Sequence, residues 1–218
     1  GSLRVVGPDI VAADLLGATS AFRGLSYDVT ATLRNAGGAR AENFYYAFYF
    51  SDNQLITITD PKLGEIGPIT LAGGQTITVH HTFTVASTIA AGNYYLGIIS
   101  DSTSQILEEV ENNNIKRQTA AVVVRDPAPD FATSSLTPAG GGAAGESLVV
   151  ARTLSNLGNA GGDLSYEIFL SHDATIDPAT DIALGTGQVR LGAAQDDEGV
   201  DMALIPSDTP AGNYYLGY

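Results

Sequence analysis

The seven residues at 91–97, Ala-Gly-Asn-Tyr-Tyr-Leu-Gly, recur without change at 211–217, which is 120 positions further along the chain. Other landmarks recur at nearly the same spacing. Pro8-Asp9 returns as Pro129-Asp130, and Thr32-Leu33-Arg34-Asn35 returns as Thr153-Leu154-Ser155-Asn156. Such self-similarity is typical of one structural unit used twice. The sequence therefore predicts two tandem domains, at residues 3–125 and 128–218, with a stiff proline-containing seam between them.

The first copy has the patterning of β-strands. Apolar residues alternate with polar ones from Leu25 to Arg34, a period of two that is typical of a half-buried strand. Further β-rich stretches lie at 43–50, 75–85, 92–101 and 119–124, separated by Gly, Asn, Asp and Pro. A tyrosine, Tyr94 or Tyr95, opens a late strand, as in the tyrosine corner of immunoglobulin domains. We predict an all-β chain of two tandem immunoglobulin-like antiparallel β-sandwiches.

Composition excludes several classes of function. With 44% hydrophobic and 16% charged residues, the 218-residue chain is too apolar to be disordered. Ten Lys and Arg against 24 Asp and Glu give a net charge of −14, which opposes binding to nucleic acid. No apolar run reaches the roughly 20 residues of a membrane span, so we expect no membrane insertion by this segment. The absence of cysteine excludes disulfides and thiolate metal sites.

Several short motifs recur in a fixed order in both copies. In the first copy they are Pro8-Asp9-Ile10-Val11, Thr32-Leu33-Arg34-Asn35-Ala36-Gly37, Phe48-Tyr49-Phe50-Ser51-Asp52, Leu63-Gly64, Gly92-Asn93-Tyr94-Tyr95-Leu96 and the acidic-Asn segment 108–114. The second copy matches through Leu154-Ser155-Asn156-Leu157-Gly158, residues 169–177 and Leu184-Gly185. On these motifs each copy resembles the CARDB repeat, the cell-adhesion-related domain of bacterial surface proteins. The resemblance implies a seven-stranded sandwich.

The resemblance also implies a function. It points to a non-catalytic spacer and adhesion module of a bacterial surface or secreted protein, located outside the cell or on its surface. The implied partners are other surface proteins or a polysaccharide. An alternative is an accessory module of a secreted enzyme that hydrolyses carbohydrate or peptide. An attached hydrolase domain in the full-length protein would favour the alternative, whereas further repeats and an anchor would favour the spacer.

No catalytic motif is visible in the chain. It contains no Gly-x-Ser-x-Gly elbow, no His-Glu-x-x-His and no phosphate-binding loop, and only three histidines. His80 and His81 are adjacent, and neighbouring residues of a strand point to opposite faces. We therefore expect His81 to lie on the core face and His80 to face solvent beside Thr78 and Thr82.

Acidic loops are the best candidates for a metal site. Asp173, Asp177 and Asp181 lie within nine residues, and Asp52, Asn53 and Asp60 occupy the corresponding loop of the first copy. Clustered carboxylates suit calcium, although this spacing differs from that of the EF-hand loop. Asp and Asn are also ordinary turn formers, because their side chains bind nearby backbone N–H groups. Both interpretations, calcium ligand and turn former, remain open for these residues.

Aromatic residues of the first copy supply a second candidate site. Phe44, Tyr46, Phe48 and Phe50 align with Leu164, Tyr166, Ile168 and Leu170, which predicts a core face in both copies. Tyr45 and Tyr49 belong to the opposite face, so we expect them to point outward. Exposed tyrosines can stack on sugars or contact a protein, but they are also good strand formers that pair across strands.

The alternation of apolar residues in the second copy does not match that of the first copy at one strand. Transferring the core phase of Val79, His81 and Phe83 leaves Val200, Met202 and Leu204 outward, so we expect a β-bulge or shifted register there.

The second copy also stops at Tyr218, before its acidic-Asn segment and its last strand. An uncovered sheet edge attracts other strands. We therefore expect either a longer polypeptide or a strand from another chain beside residues 213–218.

Overall fold

The computed structural model describes all 218 residues, and its regular elements are fifteen β-strands. The chain divides into two units, Gly1–Asp126 and Pro127–Tyr218. The division falls within the proline-containing seam that the sequence predicts. The all-β, sandwich-type architecture is confirmed.

The first unit contains nine strands in two sheets. They are β1 (Ile10–Gly17), β2 (Ser20–Phe22), β3 (Ser26–Asn35), β4 (Ala41–Ser51), β5 (Lys62–Leu71), β6 (Thr76–Thr84), β7 (Gly92–Ser100), β8 (Ile115–Arg117) and β9 (Val122–Arg125). One sheet has the order β1-β3-β6, and the other has the order β2-β9-β7-β4-β5 with β8 beside β7. All neighbouring strands are antiparallel except β2 and β9, which are parallel.

The core of the first unit follows from the alternation of its strands. On β3 the side chains of Tyr27, Val29, Ala31 and Leu33 are buried, as the pattern predicts. Phe44, Tyr46, Phe48 and Phe50 of β4 and Val122 and Val124 of β9 join the same cluster. Burial of each large apolar side chain contributes about 1.5–3 kcal/mol. The sequence-based choice of the core face is therefore confirmed.

The second unit contains six strands with the same order of connection. They are β10 (Phe131–Pro138), β11 (Ser147–Asn156), β12 (Gly162–Ser171), β13 (Ile182–Leu191), β14 (Asp196–Leu204) and β15 (Tyr215–Gly217). The sheets β10-β11-β14 and β13-β12-β15 match β1-β3-β6 and β5-β4-β7. Both first hairpins have a bulge at the same place, between Ala12 and Asp14 and between Thr133 and Ser135.

Strand β15 has a partner on one side only, namely β12. Beside it lies a cavity of about 480 Å³ with a mixed lining that includes Leu148, Leu170, Ile205, Asn213 and Tyr214. In the first unit β9 pairs with β7 at the equivalent edge, and its Val122 and Val124 belong to the core. An open edge here agrees with the sequence-based expectation, and its covering by another strand stays a prediction.

Each unit contains a tyrosine corner. The hydroxyl of Tyr94 donates to the carbonyl of Ala90 at 3.0 Å, and the hydroxyl of Tyr214 donates to that of Pro210 at 2.9 Å. The tyrosine in each case binds the backbone four residues upstream, which ties the start of the strand to the preceding loop. The structure therefore selects Tyr94, and not Tyr95, as the corner residue.

We expect Tyr94→Phe to lower the free energy of unfolding of the first unit by about 1 kcal/mol, because it removes one hydrogen bond and keeps the ring. Tyr95→Phe is the matched control. The Tyr95 hydroxyl only receives a long 3.4 Å bond from the exposed Gln54, so its loss should be near zero. Urea titration of both variants measures the difference. Equal losses in the two variants would contradict a stabilising corner.

The register of β14 differs from the expectation. It pairs with β11 without interruption from Ser147 opposite Leu204 to Ser155 opposite Asp196, so the expected bulge or phase shift is wrong. Val200, Met202 and Leu204 instead face solvent, with exposed fractions of 64%, 76% and 57%.

The physical reason for this register is an ionic group on the inward side of β14. Arg152 of β11 has a side chain that is 8% exposed. Its Nη1 lies 2.5 Å from Asp197 Oδ2, and its Nε lies 2.9 Å from Asp201 Oδ2. The hydroxyl of Tyr166 donates to Asp201 at 3.0 Å, and that of Tyr218 also binds this carboxylate. A one-residue slip of β14 would break these bonds.

The first unit has no ionic group at the positions equivalent to Arg152, Asp197 and Asp201. Ala31 and His81 stand where Arg152 and Asp201 stand, and the Tyr46 hydroxyl lies 2.8 Å from His81 Nε2. In the second unit, burial alone would lower the pKa of Arg152, but the hydrogen bonds with Asp197 and Tyr166 outweigh it and raise the pKa above its ordinary value. The guanidinium therefore stays charged.

Candidate functional site

The acidic loop after β4 uses its side chains to build turns. Asp60 Oδ2 accepts from the backbone N–H of Thr57 at 2.7 Å, and Asn53 Oδ1 accepts from that of Leu55 at 2.8 Å. Asp52 accepts from the side-chain amide of Asn53 at 2.9 Å. The Asn53 bond has the i to i+2 pattern of an Asx turn, and each of the three bonds occupies one side-chain oxygen.

The corresponding loop after β12 repeats this behaviour. Asp173 Oδ1 accepts from the N–H of Thr175 at 2.7 Å, and Asp177 Oδ1 accepts from that of Ala179 at 3.0 Å. Asp181 Oδ2 accepts from the N–H of Asp177 at 2.7 Å. These contacts favour the turn-forming interpretation.

No three His, Asp or Glu side chains anywhere in the chain come together as a metal-binding group. Calcium binding by Asp52, Asp60, Asp173, Asp177 and Asp181 stays a prediction. Calorimetric titration of calcium into chelator-treated protein tests it, and the absence of both heat and a shift in melting temperature would dismiss it.

The two candidate tyrosines of β4, Tyr45 and Tyr49, differ in their exposure to solvent. The expectation that Tyr49 faces outward is wrong, because only 1% of it is exposed. The following loop folds back over this face, and Ile56 packs with Ala47, Tyr49 and Ile99 in a second small apolar cluster. Tyr45 is half-buried, and its ring lies against Gly67 of β5. Only Tyr45 is therefore accessible for the predicted contact with a sugar or a protein.

The last glycine of the repeated heptapeptide is the sequence feature that indicates this second apolar cluster. A Cβ on Gly97 would collide with Ile56, and a Cβ on Gly217 would collide with Ile176 of the other unit. The last glycine of each heptapeptide thus makes room for an isoleucine from the acidic loop. Phe169, which aligns with Tyr49, is buried in the same way.

The adjacent histidines lie on opposite faces, as expected. His81 lies among the rings of Tyr46, Phe48 and Phe83, with ring centroids between 5.8 and 5.9 Å away. Burial lowers the pKa of His81, and the neighbouring His80 lowers it further. His80 Nδ1 lies 2.9 Å from the hydroxyl of Thr30 on the outer face. The two imidazoles form no joint site.

The second acidic segment, for which the sequence leaves the calcium-ligand and turn-former interpretations open, contains one buried carboxylate. Glu108 is 8% exposed, and its Oε1 accepts from the backbone N–H of Ile10 at 2.8 Å. Its Oε2 accepts from the side chain of Asn114 at 2.7 Å. Burial raises the pKa of Glu108 to about 6, although these two hydrogen bonds act in the opposite direction. Glu108 therefore ties the segment before β8 to the start of β1.

This carboxylate should make the stability of the first unit depend on pH. Because the pKa of Glu108 is higher in the folded state (about 6) than its ordinary value of 4.5, the folded state binds more protons between these values. Its contribution is therefore most favourable below pH 4.5 and is lost as the pH rises through 6. We expect wild type to lose about 2 kcal/mol relative to Glu108→Gln between pH 4 and pH 7.

The difference between the two proteins isolates Glu108 from all other titrating groups. In the variant, rotation of the Asn114 amide would present its Oδ1, which is buried without a partner, to the new side-chain amide. Urea titrations at several pH values measure the effect. Parallel stability curves for wild type and variant would contradict the assignment.

Comparison with protein families identifies the first unit. The CARDB family model matches residues 7–118, which is about half of the chain. The chain belongs to the CARDB family. CARDB domains are surface-associated, non-catalytic β-sandwich modules, and the matched range contains β1 to β8 together with the loop bearing Asp52 and Asp60.

Comparison with solved structures gives matches at low identity. A CARDB domain from Pyrococcus furiosus, solved in complex with di-metal ions, is 16% identical, with 54% of this chain and 94% of that chain covered and a TM-score of 0.42. A domain from Methanosarcina acetivorans, described as part of a cell surface protein, is 19% identical, with 54% and 92% covered and a TM-score of 0.40.

A longer alignment spans both units. Trypsin-activated alpha-2-macroglobulin from Escherichia coli is 15% identical over 93% of this chain and 14% of its own length, with a TM-score of 0.30. Comparison with curated proteins gave no match. None of the elements has the length and hydropathy that a membrane-spanning helix requires.

Proposed function

We propose that this CARDB chain is a non-catalytic spacer and adhesion module of an extracellular surface or secreted protein. The observation that carries the proposal is the way the seam is held. Arg23 binds Asp126 on the first unit's side, and Asn159 Oδ1 accepts from the N–H of Ala128 at 2.9 Å on the second unit's side. Only Pro127 lies between these two anchored residues, and proline restricts the backbone of a linker.

The second unit enters the proposal as a second copy of the same domain. Its support is the repeated heptapeptide, the repeated tyrosine corner and the shared order of strand connections. A module repeated in series, without convergent catalytic groups, suits a role in extending or presenting other domains. The net charge of −14 and the lack of cysteine are compatible with this role.

Scattering in solution tests the spacer role. We expect small-angle X-ray scattering of the wild type to give a narrow distribution of overall dimensions. A variant with Pro127→Gly and Pro129→Gly should give a broader distribution, because glycine frees the backbone that proline restricts. Equally broad distributions for both proteins would contradict a stiff spacer.

The accessory-module alternative has its own test. In that case the full-length protein carries a hydrolase domain, and its activity on a polymeric substrate should fall when residues 1–218 are deleted while activity on a small soluble substrate is kept. Further repeats and a surface anchor in place of a hydrolase would exclude it.

A further inference from the structure

The outer face of the second unit's β10-β11-β14 sheet carries an apolar strip. We define the β14 strip as Val149, Val200, Met202 and Leu204. Val149 lies opposite Met202 in the β11–β14 register, and the other two members flank Met202 on β14. All four are exposed, with fractions between 39% and 76%. A contiguous apolar surface of this kind is typical of an interaction site.

The first unit shows that the fold does not require an apolar strip here. At the matching positions it has Asp28 opposite Thr82 and Thr30 opposite His80. These pairs form a polar ladder, with Asp28 accepting from Thr82 at 2.5 Å and Thr30 bonded to His80 at 2.9 Å. The same face is thus polar in one unit and apolar in the other.

The strip lies along an edge of the sheet. Three of its members belong to β14, which pairs with β11 and has no strand on its other side. An edge strand presents unpaired backbone groups, and an extended peptide can add to it as a further strand. An added strand would place every second side chain beside Val200, Met202 and Leu204.

Charge determines which strand fits. Residues 127–218 contain twelve Asp and Glu against two Arg, a net charge of −10. Both arginines are already paired, Arg152 with Asp197 and Asp201, and Arg190 with Asp163. The exposed Asp196 and Glu198 continue β14 on the same side as the strip. A second copy of this unit or an anionic membrane would meet like charge.

A shallow depression adjoins the strip at the acidic end. It has a volume of about 330 Å³, and its lining includes Thr137, Ala151, Thr153, Glu198 and Val200. Its lining also contains Ser135, Gly199 and Arg152, whose guanidinium is already paired with Asp197 and Asp201. The carboxylate of Glu198 at its rim suits the charged end of a lysine or an arginine, and the side chains of Ala151 and Val200 suit its alkyl chain.

We propose that the β14 edge binds an extended strand of a cationic protein, with aliphatic side chains on the β14 strip and a basic side chain at Glu198. This inference is independent of the spacer role, because a spacer needs no ligand. It therefore survives a failure of the scattering test above, and its own failure leaves that test untouched.

A labelled peptide tests the proposal. The probe is a fluorescein-labelled nine-residue peptide that carries Lys, Lys, Val, Val and Val at its five alternate positions with Thr between them, so that Lys and Val share one face of the added strand. Anisotropy reports its binding to the whole chain. We expect the variant Val200→Thr, Met202→Thr, Leu204→Thr to bind at least about tenfold more weakly, because it loses burial of three aliphatic side chains. It should keep its fold, since these side chains face solvent in the free protein.

Three controls assign the effect. The first-unit variant His80→Ser, Thr82→Ser, Thr84→Ser should bind as wild type does. Glu198→Gln should weaken binding and reduce its salt dependence, and a peptide with Glu in place of Lys should not bind. On binding, hydrogen exchange should slow in β14 and not in β6.

Several results would overturn the proposal. Equal binding by wild type and the triple threonine variant is one, and the absence of binding by the Lys peptide is another. Concentration-dependent self-association that the triple variant abolishes would assign the strip to a second copy instead. Binding to phosphatidylglycerol vesicles that requires the strip would assign it to a membrane.

Discussion

Replacing Asn35 by alanine is expected to lower the free energy of unfolding of the first unit by about 4 kcal/mol. Asn35 is fully buried at the end of β3. Its Oδ1 accepts from the N–H groups of Asp9 and Gly37, both at 3.1 Å, and its Nδ2 donates to the carbonyls of Ala39 and Leu71 at 2.8 and 3.1 Å. Alanine leaves four backbone groups without these bonds, each worth about 1–3 kcal/mol when buried and unpaired.

The second unit has an internal duplicate of this arrangement. Asn156 accepts from Asp130 and Gly158 and donates to Ala160 and Gly192, at distances from 2.7 to 3.0 Å. Hydrogen exchange followed by mass spectrometry can separate the two units. Asn35→Ala should lower protection in residues 1–126 only, whereas Asn156→Ala should lower it in residues 127–218 only.

Two further variants sharpen the Asn35 test. Asn53→Ala removes two exposed hydrogen bonds, one from the N–H of Leu55 and one to Asp52, and should cost no more than about 1 kcal/mol. Asn35→Asp keeps the acceptor but turns a charged oxygen toward two carbonyls, so its pKa should rise and its stability should partly recover as the pH falls. A loss below 1 kcal/mol for Asn35→Ala would refute the four-bond account.

Removal of Arg152 should have the second large effect. Arg152→Ala leaves the partly buried carboxylates of Asp197 and Asp201, which lie on the same face of β14, without their cation. Breaking a buried ionic group by removing one partner costs about 3–5 kcal/mol. Since Asp197 keeps some contact with water, we expect a loss of about 3 kcal/mol for the second unit, measured by urea titration.

A compensated variant distinguishes lost charge balance from lost packing. Arg152→Ala combined with Asp197→Ile, Gly199→Val and Asp201→His introduces the residues that the first unit carries at these positions, namely Ala31, Ile77, Val79 and His81. It should recover most of the stability, because well-packed apolar groups can replace a buried ionic cluster.

The exposed pair of Arg190 and Asp163 supplies the control for Arg152. Arg190→Ala should cost less than 1 kcal/mol, since exposed ion pairs contribute little. Equal losses for Arg152→Ala and Arg190→Ala would show that the buried network does not stabilise the unit.

The sequence by itself determined the repeat, the positions of β3, β4, β6, β7 and β9, and the core face of β3 and β4. Leu25 to Arg34 alternates with period two, and this period reports directly which side chains share a face of a strand. The heptapeptide at 91–97 and its copy located both tyrosine corners, because a corner needs only a tyrosine and a carbonyl four residues away. These are local relations, and local relations can be read from neighbouring residues.

The tertiary structure alone decided which faces are covered and by what. Tyr49 is buried because Ile56, from a loop without periodic pattern, folds over it. Glu108 binds Ile10 from 98 residues away, and the polar inward side of β14 depends on Arg152, 45 and 49 residues before its aspartate partners. The period of two in a strand shows which side chains share a face. It does not show which distant residues pack on that face, and this packing decides whether the face is buried.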